Sequence, residues 1–198
     1  MSDKLLRLKT PISKDEIVKL RTGDKALLSG RILTARDAAH KLMVEKRPDF
    51  LRAYLKDSVI YHCGPIVKKG DDGAWSFISA GPTTSSREEP YEAAVIAEYG
   101  VRGIIGKGGM GPKTMQGLMT SGAVYFHAIG GTGALTAKRV VKVEEVLLLE
   151  ELGSPEAFWV INVEDFPLVV TMDSAGNSLH KEVAESSEKR AQELLAKI

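Results

Sequence analysis

Alternation of helical and strand patterns between residues 90 and 126 is the feature that most constrains the fold. A helical pattern over 91–99 precedes an apolar strand pattern at 101–105, and a second helix at 114–119 precedes a second strand at 123–126. Successive strands that are separated by helices usually pair in parallel through crossover connections. The sequence therefore predicts an α/β fold.

The rest of the chain has the patterns of further strands, of a helix that starts near residues 34–37 and of a C-terminal helix. Strand patterns occur at 26–33, 59–61, 75–80, 141–149, 158–163 and 168–172, and residues 1–23 suggest an edge strand and a short helical turn. Thr34 and Asp37 have the spacing of a helix-capping motif. The charged tail from about 181 to 198 has apolar residues at helical spacing, which predicts a helix docked on the surface. We expect one domain spanning 1–198.

Two loops carry the strongest functional signal. GPTTSSR at 81–87 and GKGGMG at 106–111 each follow a short apolar run, so both are expected at one edge of the sheet, where α/β proteins bind ligands. Arg87 and Lys107 lie beside hydroxyl groups and glycine amides in these loops. Such a combination predicts a site for a small anion with two carboxylates.

A third segment adds cationic groups to this prediction. Arg36 and His40 are four residues apart and share a helix face near the N-terminal end, where the helix dipole favours anions. The remaining histidines are scattered, and no pair has metal-ligand spacing on one element. We interpret those three as structural.

Each loop also has a simpler explanation. KGGMGPKT resembles a phosphate-binding loop, but Pro112 interrupts the required run before Lys113, which disfavours a nucleotide-binding protein. Glycines can serve a tight turn alone. In the hydroxyl-rich loop, Ser86 could cap the next helix.

Composition excludes several classes of protein. The formal charge is +1 from 27 basic and 26 acidic residues, and the basic residues are dispersed, which argues against a nucleic-acid partner. No apolar run approaches the roughly 20 residues of a membrane span, and the N-terminus lacks a secretion signal. The single cysteine, Cys63, can neither form an internal disulfide nor hold a metal cluster alone. We expect a cytoplasmic protein without a membrane partner.

Taken together, the motifs resemble one family, the β subunit or C-terminal domain of class I iron-sulfur hydro-lyases (fumarase and L-tartrate dehydratase). The matching stretches span most of the chain: TARDAAHK at 34–41, YHCGP at 61–65, GPTTSSR at 81–87, GKGGMG at 106–111, IGG at 129–131 and VEDFPL at 163–168.

The resemblance implies a swivelling β/β/α domain with a central mixed sheet and flanking helices. It further implies a separate α subunit that carries a [4Fe-4S] cluster, with no cluster on this chain, in a heterodimer or heterotetramer that acts on a small dicarboxylate. Thr83 corresponds to the family's catalytic threonine. The substrate-binding positions are Arg36, Arg87, Lys107 and Gly108, with His40 and Thr84 as neighbours behind them.

The expected function is therefore the β subunit of fumarate hydratase, which interconverts fumarate and L-malate. The β subunit of L-tartrate dehydratase is the alternative, and a non-catalytic small-anion-binding domain is the second. One departure concerns Glu88 and Glu89, which follow the motif arginine where many members have methionine. Carboxylates facing the site would repel the ligand. We expect them instead to face solvent at the start of the following helix.

Overall fold

A seven-stranded mixed sheet forms the centre of the computed structural model, which describes residues 5–196. The strand order is β1-β2-β3-β6-β7-β9-β8, and β4 and β5 form a separate antiparallel pair. The strands are β1 (Leu5–Lys9), β2 (Lys25–Thr34), β3 (Val59–Tyr61), β4 (Ile66–Lys69), β5 (Trp75–Ser79), β6 (Gly103–Gly106), β7 (Val124–His127), β8 (Val140–Leu147) and β9 (Phe158–Met172).

The central strands close into a ring. Strands β2, β3, β6 and β7 pair in parallel, and for β6 and β7 this pairing is the one that the helix-strand alternation predicted. The long strand β9 then pairs antiparallel with β2 along one edge and with β7 along the other. Closure therefore leaves neither β2 nor β7 as a free edge of the ring, which limits unwanted strand pairing.

Helices flank this sheet, so the predicted α/β class with a central mixed sheet is confirmed. They are α1 (Lys14–Ile17), α2 (Asp37–Lys46), α3 (Arg52–Leu55), α4 (Glu92–Tyr99), α5 (Pro112–Ser121), α6 (Gly133–Ala137), α7 (Leu149–Leu152) and α8 (Leu179–Leu195). Alternate residues of each strand enter two separate cores. Ile105 and Phe126 lie in one core, while Ile104 and Tyr125 lie in the other with the buried side chains of α2 and α4.

Three local predictions were wrong. Strand β5 belongs to the small β4–β5 pair, so the 81–87 loop does not leave a strand of the main sheet. Thr34 does not cap α2, because it is buried in β2, where its Oγ1 accepts a hydrogen bond from the Trp159 amide at 3.1 Å. The spacing of residues in the sequence could not show that the Trp159 amide of β9 uses Thr34 as its hydrogen-bond acceptor. The two strand patterns at 158–163 and 168–172 are also one continuous strand.

The C-terminal helix is not docked as predicted. Every side chain from 181 to 196 is exposed, including Val183 and Leu195 at 64% and 69%. Charged residues surround the few apolar ones, so no continuous apolar stripe faces the domain. Positions 197 and 198 of the predicted helix lie outside the described residues. Among residues 5–196, no helix is long and apolar enough to cross a membrane.

Candidate active site

Backbone hydrogen bonds join the two predicted loops directly. The Thr83 amide donates to the His62 carbonyl at 2.7 Å, and the Lys107 amide donates to the Thr83 carbonyl at 3.3 Å. The Ser85 amide in turn donates to the Lys107 carbonyl at 3.0 Å. These bonds place the 81–87 loop at the end of β6, although it arrives from another sheet. The expected meeting of the loops therefore occurs, by a route that the sequence did not indicate.

Lys107 and Gly108 lie on the open side of this junction. Lys107 is half-buried, and its Cδ would be 3.4 Å from a Cβ built on Gly130 in the IGG segment. Within residues 5–196 its ammonium group forms no ion pair. Gly108 is exposed with a φ of +84°, a conformation that favours glycine. Thr84, also exposed, pairs with Lys107 as an isolated bridge.

The two arginines are held by acidic partners. Arg36, the residue that precedes α2, has its Nη1 3.4 Å from Glu156 Oε1, and its buried Nε has no acceptor among the described residues. Arg87 is exposed and forms an ion pair with Asp37, the first residue of α2. The structure thus brings three cations to one region, but two of them are already paired.

Beneath the loops lies a fully buried polar network that sequence reasoning missed apart from His40. His62 Nε2 is 2.9 Å from Glu92 Oε2, and His40 Nε2 is 3.0 Å from the same oxygen. His62 Nδ1 is 2.8 Å from Ser85 Oγ, which accepts a hydrogen bond from the Tyr125 hydroxyl at 2.9 Å. These residues come from five separate segments. Only His40, His62 and Ser85 lie in the recognised motifs, and nothing in the sequence indicated that the five residues converge.

The network admits one consistent assignment of protons. His40 Nδ1 is 2.8 Å from the Arg36 carbonyl, which can only accept, so Nδ1 carries a proton. Burial opposes the charged form of His40, but the Glu92 carboxylate outweighs burial and raises the His40 pKa. Burial lowers the pKa of His62, which is neutral and donates from Nε2 to Glu92. Its Nδ1 then accepts from the Ser85 hydroxyl.

Opposite charges within this cluster neutralise each other. Burial alone would disfavour an ionised Glu92, but the two imidazoles lower its pKa to about 2. Glu92 and His40 therefore form a buried ion pair, and the rest of the network is neutral. Buried hydrogen-bonded networks of this kind rigidify the segments that supply them. Here those segments carry Arg36 and the 81–87 loop.

The His40, His62 and Glu92 side chains lie close enough to contact a single ion. Ligands about 2.0–2.1 Å from tetrahedral zinc are, however, about 3.3 Å apart. The 2.9 and 3.0 Å separations fit shared protons better, and the hydrogen bonds already use these atoms. We therefore interpret the cluster as a hydrogen-bonded network.

The chain's own residues do not fit an iron-sulfur cluster. Cys63 is the only cysteine in the sequence, whereas such clusters take several thiolates. Burial also raises the pKa of its thiol to about 12, so it is a neutral thiol packed beside Pro82. No cluster chemistry can be assigned to this chain.

The expectation that Glu88 and Glu89 face solvent was wrong. Glu88 is buried against the network, with Oε2 4.0 Å from His62 Nδ1. Glu89 accepts hydrogen bonds from the Gly111, Lys113 and Thr114 amides at 2.7, 3.0 and 3.2 Å, so it caps α5 from a distant part of the sequence. Neither carboxylate is therefore a free charge beside Lys107. Ser86 caps no helix, since α4 begins at Glu92.

The fold and these loops define a class: α/β domains with a closed mixed sheet and glycine-rich loops that carry cations at its rim. The profile of the family described as Fumarase C-terminus matches residues 2–183. The chain belongs to this family.

Relatives in this family have two kinds of name. The chain is 45% identical over 184 residues to a putative fumarate hydratase class I of Geobacillus stearothermophilus, which covers 93% of this chain and 35% of that protein. It is 42% identical to a putative L(+)-tartrate dehydratase subunit beta of Methanocaldococcus jannaschii, covering 93% of this chain and 95% of that protein. The L(+)-tartrate dehydratase subunit beta of Escherichia coli K12 is 41% identical, covering 87% and 85%. The chain therefore spans about a third of the first relative and nearly all of the second.

Proposed function

We propose that this chain is the β subunit of a two-subunit hydro-lyase that interconverts fumarate and L-malate. One observation carries the proposal: backbone hydrogen bonds hold Thr83 and Lys107 side by side, and the loop of Thr83 also carries Arg87, which pairs with Asp37, the residue after Arg36. This arrangement supports a site in which cations bind a dicarboxylate close to the Thr83 hydroxyl group.

Removal of a proton beside a carboxylate leaves negative charge on that carboxylate, and fixed cations stabilise this charge. Lys107 is the cation best suited to this role, because it has no carboxylate partner among the described residues. Arg36 and Arg87 orient substrate while staying in contact with Glu156 and Asp37. Thr83 is the group that we assign to exchange of the carbon-bound proton, a role that requires its hydroxyl to be deprotonated before it accepts that proton. Its hydroxyl makes no hydrogen bond within residues 5–196, so it is available to a substrate.

The proposal requires a partner subunit. We place the [4Fe-4S] cluster on that α subunit, where it would supply a Lewis acid for the departing hydroxyl group. Exposed apolar side chains beside Lys107 support a covering partner: Ile129 and Leu135, at 66% and 63% exposure, flank the glycine segment that contacts Lys107. The free thiol of Cys63 is compatible with the cytoplasm, which is where we place the complex.

Dehydration of L-tartrate is the second candidate reaction. The relatives whose full length this chain nearly covers are named as tartrate dehydratase β subunits, whereas the fumarate hydratase relative is much longer. Fumarate, malate and tartrate share the two carboxylates that the cations bind. The choice between them depends on groups that contact the second hydroxyl of tartrate.

The proposal is tested by assembling the chain with its α partner, reconstituting the cluster anaerobically and following fumarate loss and L-tartrate loss in parallel assays. Thr83→Ala should abolish turnover. Lys107→Ala should raise KM about 10- to 150-fold, which corresponds to one charge-assisted hydrogen bond of about 1.5–3 kcal/mol. The matched control is Lys113→Ala. Lys113 is an exposed lysine close to the same loop, and its loss should leave KM and kcat unchanged.

Each outcome discriminates between the candidates. Tartrate turnover without fumarate turnover keeps the mechanism and changes the substrate. Dicarboxylate binding that survives Thr83→Ala, in a reconstituted complex that never turns over substrate, would replace the enzyme by a small-anion-binding domain. Magnesium-dependent ATP binding that is lost in Lys113→Ala would instead support the nucleotide-binding alternative.

A further inference from the structure

Glu88 and Asp37 together have three buried carboxyl oxygens that lack a hydrogen-bond donor among the described residues. They are Oε1 and Oε2 of Glu88 and Oδ1 of Asp37. The other oxygen of Asp37 accepts from Arg87. A hydrogen bond between the Glu88 and Asp37 carboxyl groups raises the pKa of Glu88 and lowers that of Asp37. Two carboxylates cannot satisfy each other as pure acceptors, so a proton must lie between them.

We propose that Glu88 is a positioning residue that stays protonated at neutral pH and donates a hydrogen bond to Asp37, which in turn holds Arg87 in its substrate-binding orientation. The inference rests on the proposed function only in giving Arg87 a substrate to bind. The chain Glu88–Asp37–Arg87 then runs from the buried network to the exposed rim. No relative's name and no motif assigns this role to Glu88.

The surrounding charges decide which carboxyl group holds the proton. Burial, together with the neighbouring Asp37 carboxylate, raises the Glu88 pKa to about 8. Burial opposes ionisation of Asp37 as well, but its contacts with Glu88 and Arg87 outweigh this effect and lower its pKa. The proton therefore resides on Glu88, and Asp37 is the anion that Arg87 needs.

The other groups facing Glu88 leave this assignment intact. From α2, the His40 cation favours ionised Glu88 but is already neutralised by Glu92 of α4. At the end of β3, His62 uses Nδ1 to accept from Ser85 and is 4.0 Å from Glu88. On β7, the Tyr125 hydroxyl donates to Ser85. None of these groups supplies a donor to Glu88.

Loss of the Glu88 proton would break the hydrogen bond to Asp37, the buried end of the Glu88–Asp37–Arg87 series. Above pH 8 Glu88 becomes a second anion against Asp37, and the repulsion displaces Asp37 or draws Arg87 inward. Arg87 would then be less available to a substrate carboxylate. Substrate affinity should fall as pH rises through about 8.

The protonation state is tested without any enzyme activity. The chain is labelled with ¹³C-glutamate, assembled with its unlabelled partner, and examined by isotope-edited infrared spectroscopy between pH 6 and 10. We expect a protonated-carboxyl band that titrates near pH 8, is missing from Glu88→Gln, and persists in the control Glu164→Gln, an exposed glutamate of β9. Absence of such a band at pH 7, or its persistence in Glu88→Gln, would overturn the proposal.

The positioning role is tested by kinetics of the same assembled complexes. Glu88→Gln keeps an N–H donor, so its KM at pH 7 should match the wild type and its alkaline rise in KM should disappear. Glu88→Met keeps the volume without the donor and should raise KM about tenfold at pH 7, with kcat changed less than about threefold. Equal KM values in Glu88→Met and the wild type would refute positioning even if the infrared band is present. If no complex turns over substrate, the proposed function fails, and the infrared result still decides the protonation of Glu88.

Discussion

Gly106 is the position where one added carbon atom should do most damage to the buried network. It ends β6, and a Cβ built there would overlap Ser85 Oγ and lie 2.8 Å from Tyr125 Oη and 3.2 Å from His62 Nδ1. Its φ is not in the left-handed region, so backbone strain is not the reason for glycine. The side chain is missing because the polar network fills its space.

Gly106→Ala should therefore displace Ser85 and break its two hydrogen bonds, to His62 and Tyr125. Leaving a buried polar group unsatisfied costs about 1–3 kcal/mol, so two broken bonds cost about 4 kcal/mol. Against this, alanine in a strand is favoured over glycine by about 0.5–1 kcal/mol. The expected net loss is about 3 kcal/mol in the free energy of unfolding, measured by urea denaturation.

A matched substitution and a double-mutant cycle make this reasoning refutable. Gly81→Ala lies in the same region, and its Cβ would meet only Gly133 Cα at 3.7 Å, an ordinary contact, so stability should change by less than about 0.5 kcal/mol. The double variant Gly106→Ala/Ser85→Ala should be about as stable as Ser85→Ala alone, because the overlapping hydroxyl is gone. A loss below about 1 kcal/mol for Gly106→Ala, or simple additivity in the cycle, would refute a tight network.

Three other predictions each concern a single side chain. Glu89→Ala should lower the free energy of unfolding by about 1–3 kcal/mol, because the amides that begin α5 lose their acceptor; a change under about 0.5 kcal/mol in urea would contradict this. The pKa of Glu92 is about 2 in the fold against 4.5 unfolded, so its stabilisation is complete above pH 4.5 and lost as pH falls toward 2. Glu92→Gln should flatten that acid limb in denaturation curves recorded across pH, and an unchanged limb would count against the ion pair. Cys63, whose thiol pKa is about 12, should react with a thiol reagent only after urea unfolding, and rapid labelling of the native chain would show that it is not buried.

Much of the architecture was predictable because periodicity is a local property. The strands β2 and β3, the helices α4 and α5, and the parallel pairing through them agree with the patterns read from the sequence. The exposed helix α8 shows the limit of this approach. Its periodicity predicted a helix correctly, but docking depends on a complementary surface elsewhere in the fold, which no local pattern reports.

The candidate site, too, was predictable only in part. Glycine loops and cations at motif positions pointed to Lys107, Arg36 and Arg87, and the structure places them in one region. Their catalytic and binding roles stay predictions. The two carboxylates after Arg87 were misread because their partners, Asp37 and the start of α5, are remote in sequence.

By itself, the sequence determined the α/β class, the family and the loops in which function should be sought, because residue spacing and side-chain chemistry are sufficient for those inferences. Only the tertiary structure decided which charges remain available. Burial and long-range contacts pair Arg36 with Glu156, pair His40 with Glu92 and turn Glu88 inward, while Lys107 stays open at the rim. Charge depends on surroundings, and those surroundings come from residues far apart along the chain.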